Sequence, residues 1–285
     1  MKKITLALIA ATVLLVAART TRAANIVVTG SDTMLILAQK WAEVYTTNHP
    51  GTRFDVSGGG SGLGIDALQR KTTHLCDASR QLTAEEIAGC ISAFDQRPTE
   101  YKVALDGLSV FVHPENPVSE ITLEQLARVF TGKIRNWKEL QGHDAPITVY
   151  GRETVSGTYE FFKEHVLHGE AFALNTQTMP GTIALLRGVA RDLNGIGYGG
   201  TAYGRGSKAL RIRKSATSPA IEANETNVVK GLYPIWRYLY IYVNPARDVD
   251  DLAAYLNWIR GDEGQKIVKE VGYFALPKYL RENNE

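Results

Sequence analysis

Three turns rich in glycine, serine and threonine each lie between a strand pattern and the start of a helix pattern. They are residues 30–33 (GSDT), 57–64 (SGGGSGLG) and 151–158 (GRETVSGT). The start of a helix leaves backbone N–H groups unpaired and carries a partial positive charge. Glycine lets a ligand approach the backbone, and serine or threonine adds a hydroxyl donor. Each turn can therefore bind an anion.

One such turn is weak evidence, because serine and threonine at helix starts usually only cap the helix. Three turns in one chain favour a site for a tetrahedral oxyanion. The third turn also contains Arg152, which supplies a formal charge and a planar fork of donors. The alternative for Arg152 is a surface ion pair with Glu153 or Glu160.

Strand patterns alternate with helix patterns through the chain, which predicts an α/β fold with parallel sheets. The strand patterns are residues 25–29, 54–56, 74–79, 103–113, 147–150, 195–200 and 238–243. The helix patterns are residues 34–45, 65–68, 82–86, 122–130, 159–166 and 250–260, with a terminal helix after Asp262. Thr83, with Glu86 three residues on, is typical of a capped helix start. Because the chain is longer than the roughly 150 residues that one hydrophobic core usually serves, we expect two lobes. The late strand, residues 238–243, could return to the first lobe.

The first 23 residues have the pattern of a secretory signal peptide. A positive start is followed by an apolar run over residues 4–18 and by small residues at Thr21 and Ala23, which predicts cleavage near Ala23 and a periplasmic protein. A membrane anchor is the alternative, but the run is shorter than the roughly 20 apolar residues that span a bilayer. Four of the 32 basic residues and none of the 30 acidic residues lie in this segment. The remaining chain is slightly acidic, which argues against nucleic-acid binding.

Only two cysteines are present, Cys76 and Cys90. Export favours a disulfide between them, and buried free thiols are the alternative. No CxxC pattern or HxxxH pattern accompanies them, so we expect no metal site and no cofactor.

Enzymatic motifs are incomplete. Ser61 lacks the last glycine of a GxSxG nucleophile turn. Residues 195–200 (GIGYGG) match a dinucleotide pattern, but a poor helix sequence follows them. His165 and His168 lie three residues apart, where a solvated helix face is favoured over metal ligation. A secreted hydrolase or phosphatase remains the alternative from another class, and we expect a protein that is not an enzyme.

Blocks along the whole chain after residue 23 resemble the phosphate-binding proteins that serve ABC phosphate importers. The blocks are GSDTM, SGGGSG, LCDASRQLTAEE, ALDGLSVFVHPENP, LARVFTGKIRNWKEL, GRETVSGT and YPIWRYLYIYV. The resemblance implies a type II periplasmic-binding-protein fold with phosphate in a cleft between two α/β lobes. Residues 24–105 and 229–285 would form lobe I, and residues 106–228 would form lobe II. The partners would be inorganic phosphate and the permease subunits, and the protein would be a monomer.

The resemblance also implies which residues bind phosphate. By motif these are Ser31, Thr33, Met34, Ser61, Gly62, Ser79, Arg80, Arg152, Ser156, Gly157 and Thr158. Thr33, Ser61 and Thr158 would donate from their hydroxyls, whereas Met34 and Gly157 would donate from backbone N–H groups.

One position departs from the best-known version of the family. Arg80 stands where that version has an aspartate that accepts the proton of hydrogen phosphate. Asp32 or Asp77 could take this role, or Arg80 could add a second positive charge. Selection of phosphate over sulfate or arsenate therefore stays open, as do a module for another small oxyanion and a sensor.

Overall fold

A computed structural model describes residues 24–245 and 250–282; the predicted signal peptide, residues 1–23, lies outside the described residues. The strands are β1 (Ala24–Gly30), β2 (Thr52–Ser57), β3 (Leu75–Ala78), β4 (Thr99–Gly107), β5 (Ser109–Val112), β6 (Glu120–Thr122), β7 (Thr148–Arg152), β8 (Gln177–Met179), β9 (Gly195–Gly199), β10 (Lys208–Ala209), β11 (Arg211–Arg213) and β12 (Trp236–Val243). The helices are α1 (Leu35–Asn48), α2 (Ser61–Gln69), α3 (Ala84–Phe94), α4 (Leu123–Phe130), α5 (Gly157–His165), α6 (Gly181–Arg191), α7 (Glu225–Val229), α8 (Asp250–Arg260), α9 (Asp262–Val271) and α10 (Lys278–Glu282).

Two five-stranded sheets form the framework. The first has the order β2-β1-β3-β12-β4, and the second has the order β10-β5-β9-β7-β8. Strands β1, β2 and β3 are parallel, as are β7, β8 and β9. Strand β12 runs antiparallel to β3 and β4, and β5 runs antiparallel to β9 and β10. The α/β class is confirmed, and each sheet is mixed rather than parallel throughout.

The apolar run over residues 103–113 is two strands rather than the one predicted. Strand β4 belongs to the first sheet and β5 to the second. Leu108 lies between them, and its N–H donates to the carbonyl of Ile235 at 2.8 Å. Residues 103–112 are all buried, so the apolar pattern is continuous although the chain passes from one sheet to the other.

Strand β12 lies in the first sheet beside β3 and β4. Its residues pair with β4 from Trp236 opposite Gly107 to Val243 opposite Thr99, with one irregularity. The chain therefore passes from the first sheet to the second at 107–109 and returns near Trp236. Two neighbouring segments thus link the two halves of the molecule, each of which is built on one of the five-stranded sheets.

Helix starts carry the local signals that the sequence predicts. The Thr83 hydroxyl accepts from the Glu86 N–H at 3.2 Å, and a Glu86 carboxylate oxygen accepts from the Thr83 N–H at 2.8 Å, which completes a capping box. Helix α2 begins at Ser61, four residues before the predicted start at Ile65. The glycine-rich turn is therefore shorter than predicted, and Ser61 is the first helical residue.

The predicted disulfide is not formed. Cys76 on β3 and Cys90 on α3 are both free and buried, and they lie in one hydrophobic cluster. Burial raises the pKa of each thiol above its ordinary value. Both side chains pack as small apolar groups in this cluster.

Within residues 24–245 and 250–282, no helix has the length and apolar character needed to cross a membrane.

Candidate anion-binding site

Four hydroxyl side chains meet where strands of the two sheets end. Thr33 follows β1, Ser79 follows β3, Ser61 begins α2, and Thr158 lies in the first turn of α5. Because carboxyl ends of parallel strands share one edge of a sheet, turns that are distant in sequence are brought together there. We call Thr33, Ser61, Ser79 and Thr158 the hydroxyl cluster.

The hydroxyl cluster is connected by short oxygen–oxygen contacts. The Thr158 oxygen lies 2.8 Å from the Thr33 oxygen and 3.3 Å from the Ser79 oxygen. The Ser61 and Ser79 oxygens are 3.4 Å apart, and the Ser61 oxygen accepts from the Ser79 N–H at 3.1 Å. Each of the four side chains is at most 1% exposed. All three predicted turns therefore contribute to one buried group of hydroxyls, and the third strand adds Ser79.

Two glycines permit this close approach. A Cβ at Gly157 would lie 2.3 Å from the Ser61 hydroxyl oxygen, and a Cβ at Gly60 would lie 2.6 Å from the carbonyl of Val155. Gly60 also has φ = 113°, which side-chain-bearing residues rarely adopt. The second and third turns therefore pack backbone against backbone.

Arg152 is buried at the end of β7. Its Nη2 donates to a carboxylate oxygen of Asp32 at 2.6 Å, and its Nη1 donates to the Thr182 hydroxyl at 2.9 Å. The other Asp32 oxygen accepts from the Gly59 N–H at 2.9 Å. The surface pairing with Glu153 or Glu160 that the sequence left open is not observed, and Arg152 instead joins the third turn to the first and second.

Arg237, on β12, is the functional candidate that the sequence analysis missed. Its Nη2 donates to the Thr158 hydroxyl oxygen at 3.0 Å. Its Nε and Nη2 also donate to one carboxylate oxygen of Asp106 on β4, at 3.0 and 2.9 Å. The available signal was Asp106 within one apolar strand pattern and Arg237 directly before another, since unpaired charges are rarely buried.

Some predicted backbone donors already have protein partners. The Met34 N–H donates to the carbonyl of Ser31 at 3.0 Å, and the Gly62 N–H donates to the carbonyl of Val155 at 3.0 Å. The Ser31 N–H donates to the carbonyl of Asp77 at 2.9 Å. In this conformation these groups hold the turns in place, and the hydroxyls occupy the centre.

Ser156 caps helix α5. Its hydroxyl oxygen accepts from the backbone N–H groups of Thr158 and Tyr159 at 3.2 and 3.3 Å. The hydroxyl hydrogen of Ser156 stays available for a further acceptor. The cap therefore fixes the first turn of α5, which carries Gly157 and Thr158 into the site.

Arg80 lies among carboxylates, and among the described residues it makes no hydrogen bond to the hydroxyl cluster. Its Nη1 and Nη2 donate to the two Glu86 oxygens at 2.8 and 2.7 Å, and its Nε faces Glu160 on α5. Burial raises the pKa of Glu160 despite the opposing effect of Arg80. The pKa of Glu86 is lowered instead, because hydrogen bonds from Arg80 and Thr83 outweigh the effect of burial. Arg80 thus links the turn after β3 to α5.

Asp77 is buried on β3. Its Oδ1 has no hydrogen-bond partner among the described residues, and burial raises its pKa to about 8. A carboxyl that holds its proton at neutral pH cannot accept one from hydrogen phosphate. Of the two carboxyls considered from the sequence, Asp32 therefore remains, and it lies in the first turn with its oxygens on Arg152 and the Gly59 N–H.

The candidate site combines the hydroxyl cluster with two buried guanidinium groups, those of Arg152 and Arg237, each paired with a carboxylate. Neutral donors that replace water around an anion suit a small oxyanion. In the part of the chain that the structure describes, no group of three or more histidine, cysteine or acidic side chains could hold a metal ion. The arrangement can bind and orient an anion. Ser61 does not complete the GxSxG nucleophile turn.

Comparison with known proteins places this chain in a family. A family model described as a PBP superfamily domain matches residues 15–263. The phosphate-binding protein PstS of Pseudomonas aeruginosa is 33% identical over 274 residues, covering 90% of this chain and 85% of that relative.

Solved structures are similar over the same span. A protein from Clostridium perfringens, described as a phosphate ABC transporter substrate-binding protein with bound phosphate, has a TM-score of 0.81 at 28% identity, covering 89% of this chain and 100% of that one. An ABC-type phosphate transport receptor from Vibrio cholerae has a TM-score of 0.70 at 25% identity, covering 88% and 100% of the two chains. The chain belongs to the PBP superfamily and has the two-lobed type II periplasmic-binding-protein fold that its sequence predicts. Within that class it belongs to the family of phosphate-binding proteins that includes PstS.

Proposed function

We propose that this protein captures inorganic phosphate outside the cytoplasm and delivers it to the permease subunits of an ABC transporter. The observation that carries the proposal is the hydroxyl cluster, in which turns from both sheets bring four buried hydroxyls into a chain of contacts at hydrogen-bond distance, from Thr33 through Thr158 and Ser79 to Ser61. Arg237 donates to the Thr158 hydroxyl, and Arg152 pairs with Asp32, the residue before Thr33. The relatives named above, which bind or transport phosphate, support the choice of ligand.

In this proposal, residues 24–105 and 229–285 form lobe I and residues 106–228 form lobe II. Phosphate enters between the lobes while they are apart, and the lobes then close as hinged bodies. Closure excludes water and strengthens the bonds between donors and anion in a lower dielectric. The contacts that support this are the Arg152–Asp32 ion pair and the bond from the Gly62 N–H to Val155, which both join turns of the two sheets.

We further propose roles for the individual residues. Thr33, Ser61, Ser79 and Thr158 donate their hydroxyl hydrogens to phosphate oxygens, with Arg152 supplying charge. Asp32 accepts the proton that hydrogen phosphate carries and sulfate lacks. The backbone of Met34, Gly62 and Gly157 and the Ser31 and Ser156 side chains complete the site once the turns rearrange around the anion. Arg80 contributes through its ion pairs rather than by direct contact.

Residues 1–23 would act as a signal peptide cleaved near Ala23, and the mature chain would work in the periplasm as a monomer. The family membership supports this location.

Calorimetric titration of residues 24–285 with phosphate, sulfate and arsenate tests the proposal. We expect phosphate to bind tightly and sulfate to bind much more weakly. If sulfate bound more tightly than phosphate, the proposed ligand would be sulfate instead. If none of the three anions gave a heat of binding, the proposal would be overturned. Turnover of p-nitrophenyl phosphate, for which we expect none, would instead favour a secreted phosphatase.

A further inference from the structure

We propose that Arg237 is a positioning residue of the anion site, which acts by setting the direction of the Thr158 hydroxyl hydrogen. This inference rests on the proposed phosphate-binding function and adds a residue outside the three turns. Arg237 lies near the start of β12, where the chain returns to the first sheet, whereas Thr158 lies at the start of α5.

The hydrogen-bonding capacity of the groups gives the direction. A guanidinium group can only donate, whereas a hydroxyl has one donor hydrogen and two acceptor lone pairs. Because Arg237 Nη2 lies 3.0 Å from the Thr158 oxygen, Thr158 must accept there. The Thr158 hydrogen is then left for the other side of the oxygen, where Thr33 and Ser79 lie 2.8 and 3.3 Å away. An anion bound among these hydroxyls would receive that hydrogen.

Arg237 is itself held rigidly. Its Nε and Nη2 donate to Asp106, which is fully buried, and its guanidinium lies 5.2 Å from the centre of the Phe161 ring. The other Asp106 oxygen accepts from the Thr201 N–H at 3.2 Å. A pre-oriented donor loses little side-chain entropy when the anion binds, so the Arg237–Asp106 pair prepares Thr158 before the ligand arrives.

The guanidinium also keeps a donor that its structural partners do not use. Arg237 Nη1 is buried and has no hydrogen-bond partner among the described residues. Buried polar groups usually have a partner, so a donor that the fold leaves over can bind a further acceptor. The remaining donor and the contact with Thr158 both indicate a role in the site.

A double-mutant cycle tests the inference, with phosphate affinity measured by calorimetry. Arg237→Met removes the donor, and Thr158→Val removes the hydroxyl at nearly constant size. We expect each single change to weaken phosphate binding by about 10- to 100-fold. If Arg237 acts through Thr158, the phosphate affinity of the double variant should be close to that of whichever single variant binds less tightly. The effects of coupled residues on the free energy do not add.

Two further variants separate a site role from a folding defect. Arg237→Met leaves Asp106 buried without a partner, so Arg237→Met/Asp106→Leu removes both charges together. If Arg237→Met unfolds, the paired variant Arg237→Met/Asp106→Leu takes its place in the cycle with Thr158→Val, and the expectation is the same. Arg260→Met is the matched control: Arg260 is also a buried arginine, and it donates to Leu280 on α10 rather than to the cluster. It should leave phosphate affinity unchanged.

The outcomes are distinct. Fully multiplicative losses in the double variant, or a folded Arg237 variant that binds phosphate within about twofold of the wild type, would overturn the positioning role. Absence of phosphate binding by the wild-type chain would instead overturn the proposed function, and the inference would fall with it. Wild-type binding followed by non-additive losses supports both.

Discussion

At the scale of single residues, Asp32 is the carboxylate that the geometry ties most closely to the site. It follows β1, precedes Thr33 in the hydroxyl cluster, and bonds to Arg152 at 2.6 Å. An ionised carboxylate repels an anion that carries no proton and accepts the proton of one that does. Asp32 is therefore the residue through which the site would distinguish hydrogen phosphate from sulfate.

The variant Asp32→Asn should reduce that discrimination. Asparagine keeps the size and an oxygen acceptor for the Gly59 N–H but loses the charge. We expect the ratio of phosphate to sulfate affinity to fall by at least about tenfold, the equivalent of one good hydrogen bond to a charged group. Calorimetric titration with both anions measures the ratio. Asp55→Asn, at an exposed position on β2, is the control, and an unchanged ratio in Asp32→Asn would remove Asp32 from this role.

Asp77 has a different effect, on stability. Its pKa is about 8 in the folded chain against 3.8 for the unconstrained group, so the folded state holds one more proton than the unfolded state between these values. The contribution of Asp77 to the free energy of unfolding is therefore greatest at low pH, and it falls as the pH rises towards 8. The slope reaches about 1.4 kcal/mol per pH unit.

Asp77→Asn should flatten that dependence, because the variant has no proton to lose. Denaturant unfolding between pH 5 and pH 8 gives the free energy of unfolding for each chain. We expect the wild type to lose stability relative to the variant over this range. Asp66→Asn, at a partly exposed ion pair with Arg70, should follow the wild type. Parallel curves for Asp77→Asn and the wild type would contradict the assignment.

At the scale of elements, helix α5 depends on the glycine at its first position. Gly157 faces Ser61 on α2, and a Cβ there would lie 2.3 Å from the Ser61 oxygen. Gly157→Ala must therefore push α5 away from α2 and widen the hydroxyl cluster. We expect phosphate affinity to fall by about tenfold or more, since a small misplacement of several donors weakens each bond.

Gly51→Ala provides the control, because a Cβ there meets no atom within 4 Å. Calorimetry gives the affinity of both variants, and circular dichroism shows whether each is folded. A folded Gly157→Ala chain with wild-type affinity would show that the approach of α5 to α2 is not needed for binding.

Local signals predicted most elements that carry the site, since strand runs, glycine turns and capping residues act over a few neighbours. Helix α3 and its Thr83 cap are examples. Helix α6 and the short strands β6, β8, β10 and β11 had no clear pattern of their own. The passage from β4 to β5 was missed because both strands are buried, and burial gives the same apolar pattern in one sheet or two.

The site shows the same limit. Thr33, Ser61 and Thr158 follow from motif and turn chemistry, whereas the pairing of Arg237 with Asp106 depends on β12 lying beside β4 in the first sheet. These residues are 131 positions apart, and no local rule joins them. The disulfide prediction failed for a related reason, since compartment and spacing say nothing about how Cys76 and Cys90 pack.

At the scale of the whole molecule, several contacts between the proposed lobes involve the turns that would bind the anion or lie next to them. Arg152 pairs with Asp32, and Arg80 pairs with Glu160. The Tyr203 hydroxyl also donates to the carbonyl of Asp32 at 2.6 Å. Binding and closure are therefore one event in this account, because the same turns supply the donors and the contacts that hold the halves together.

A crystal structure of residues 24–285 grown with inorganic phosphate tests the central claim most directly. The account predicts one phosphate ion between the two halves, with its oxygens within hydrogen-bond distance of the Thr33, Ser61 and Thr158 hydroxyls and of Arg152. A phosphate bound elsewhere on the chain, or a closed molecule whose hydroxyl cluster contacts no phosphate, would contradict it.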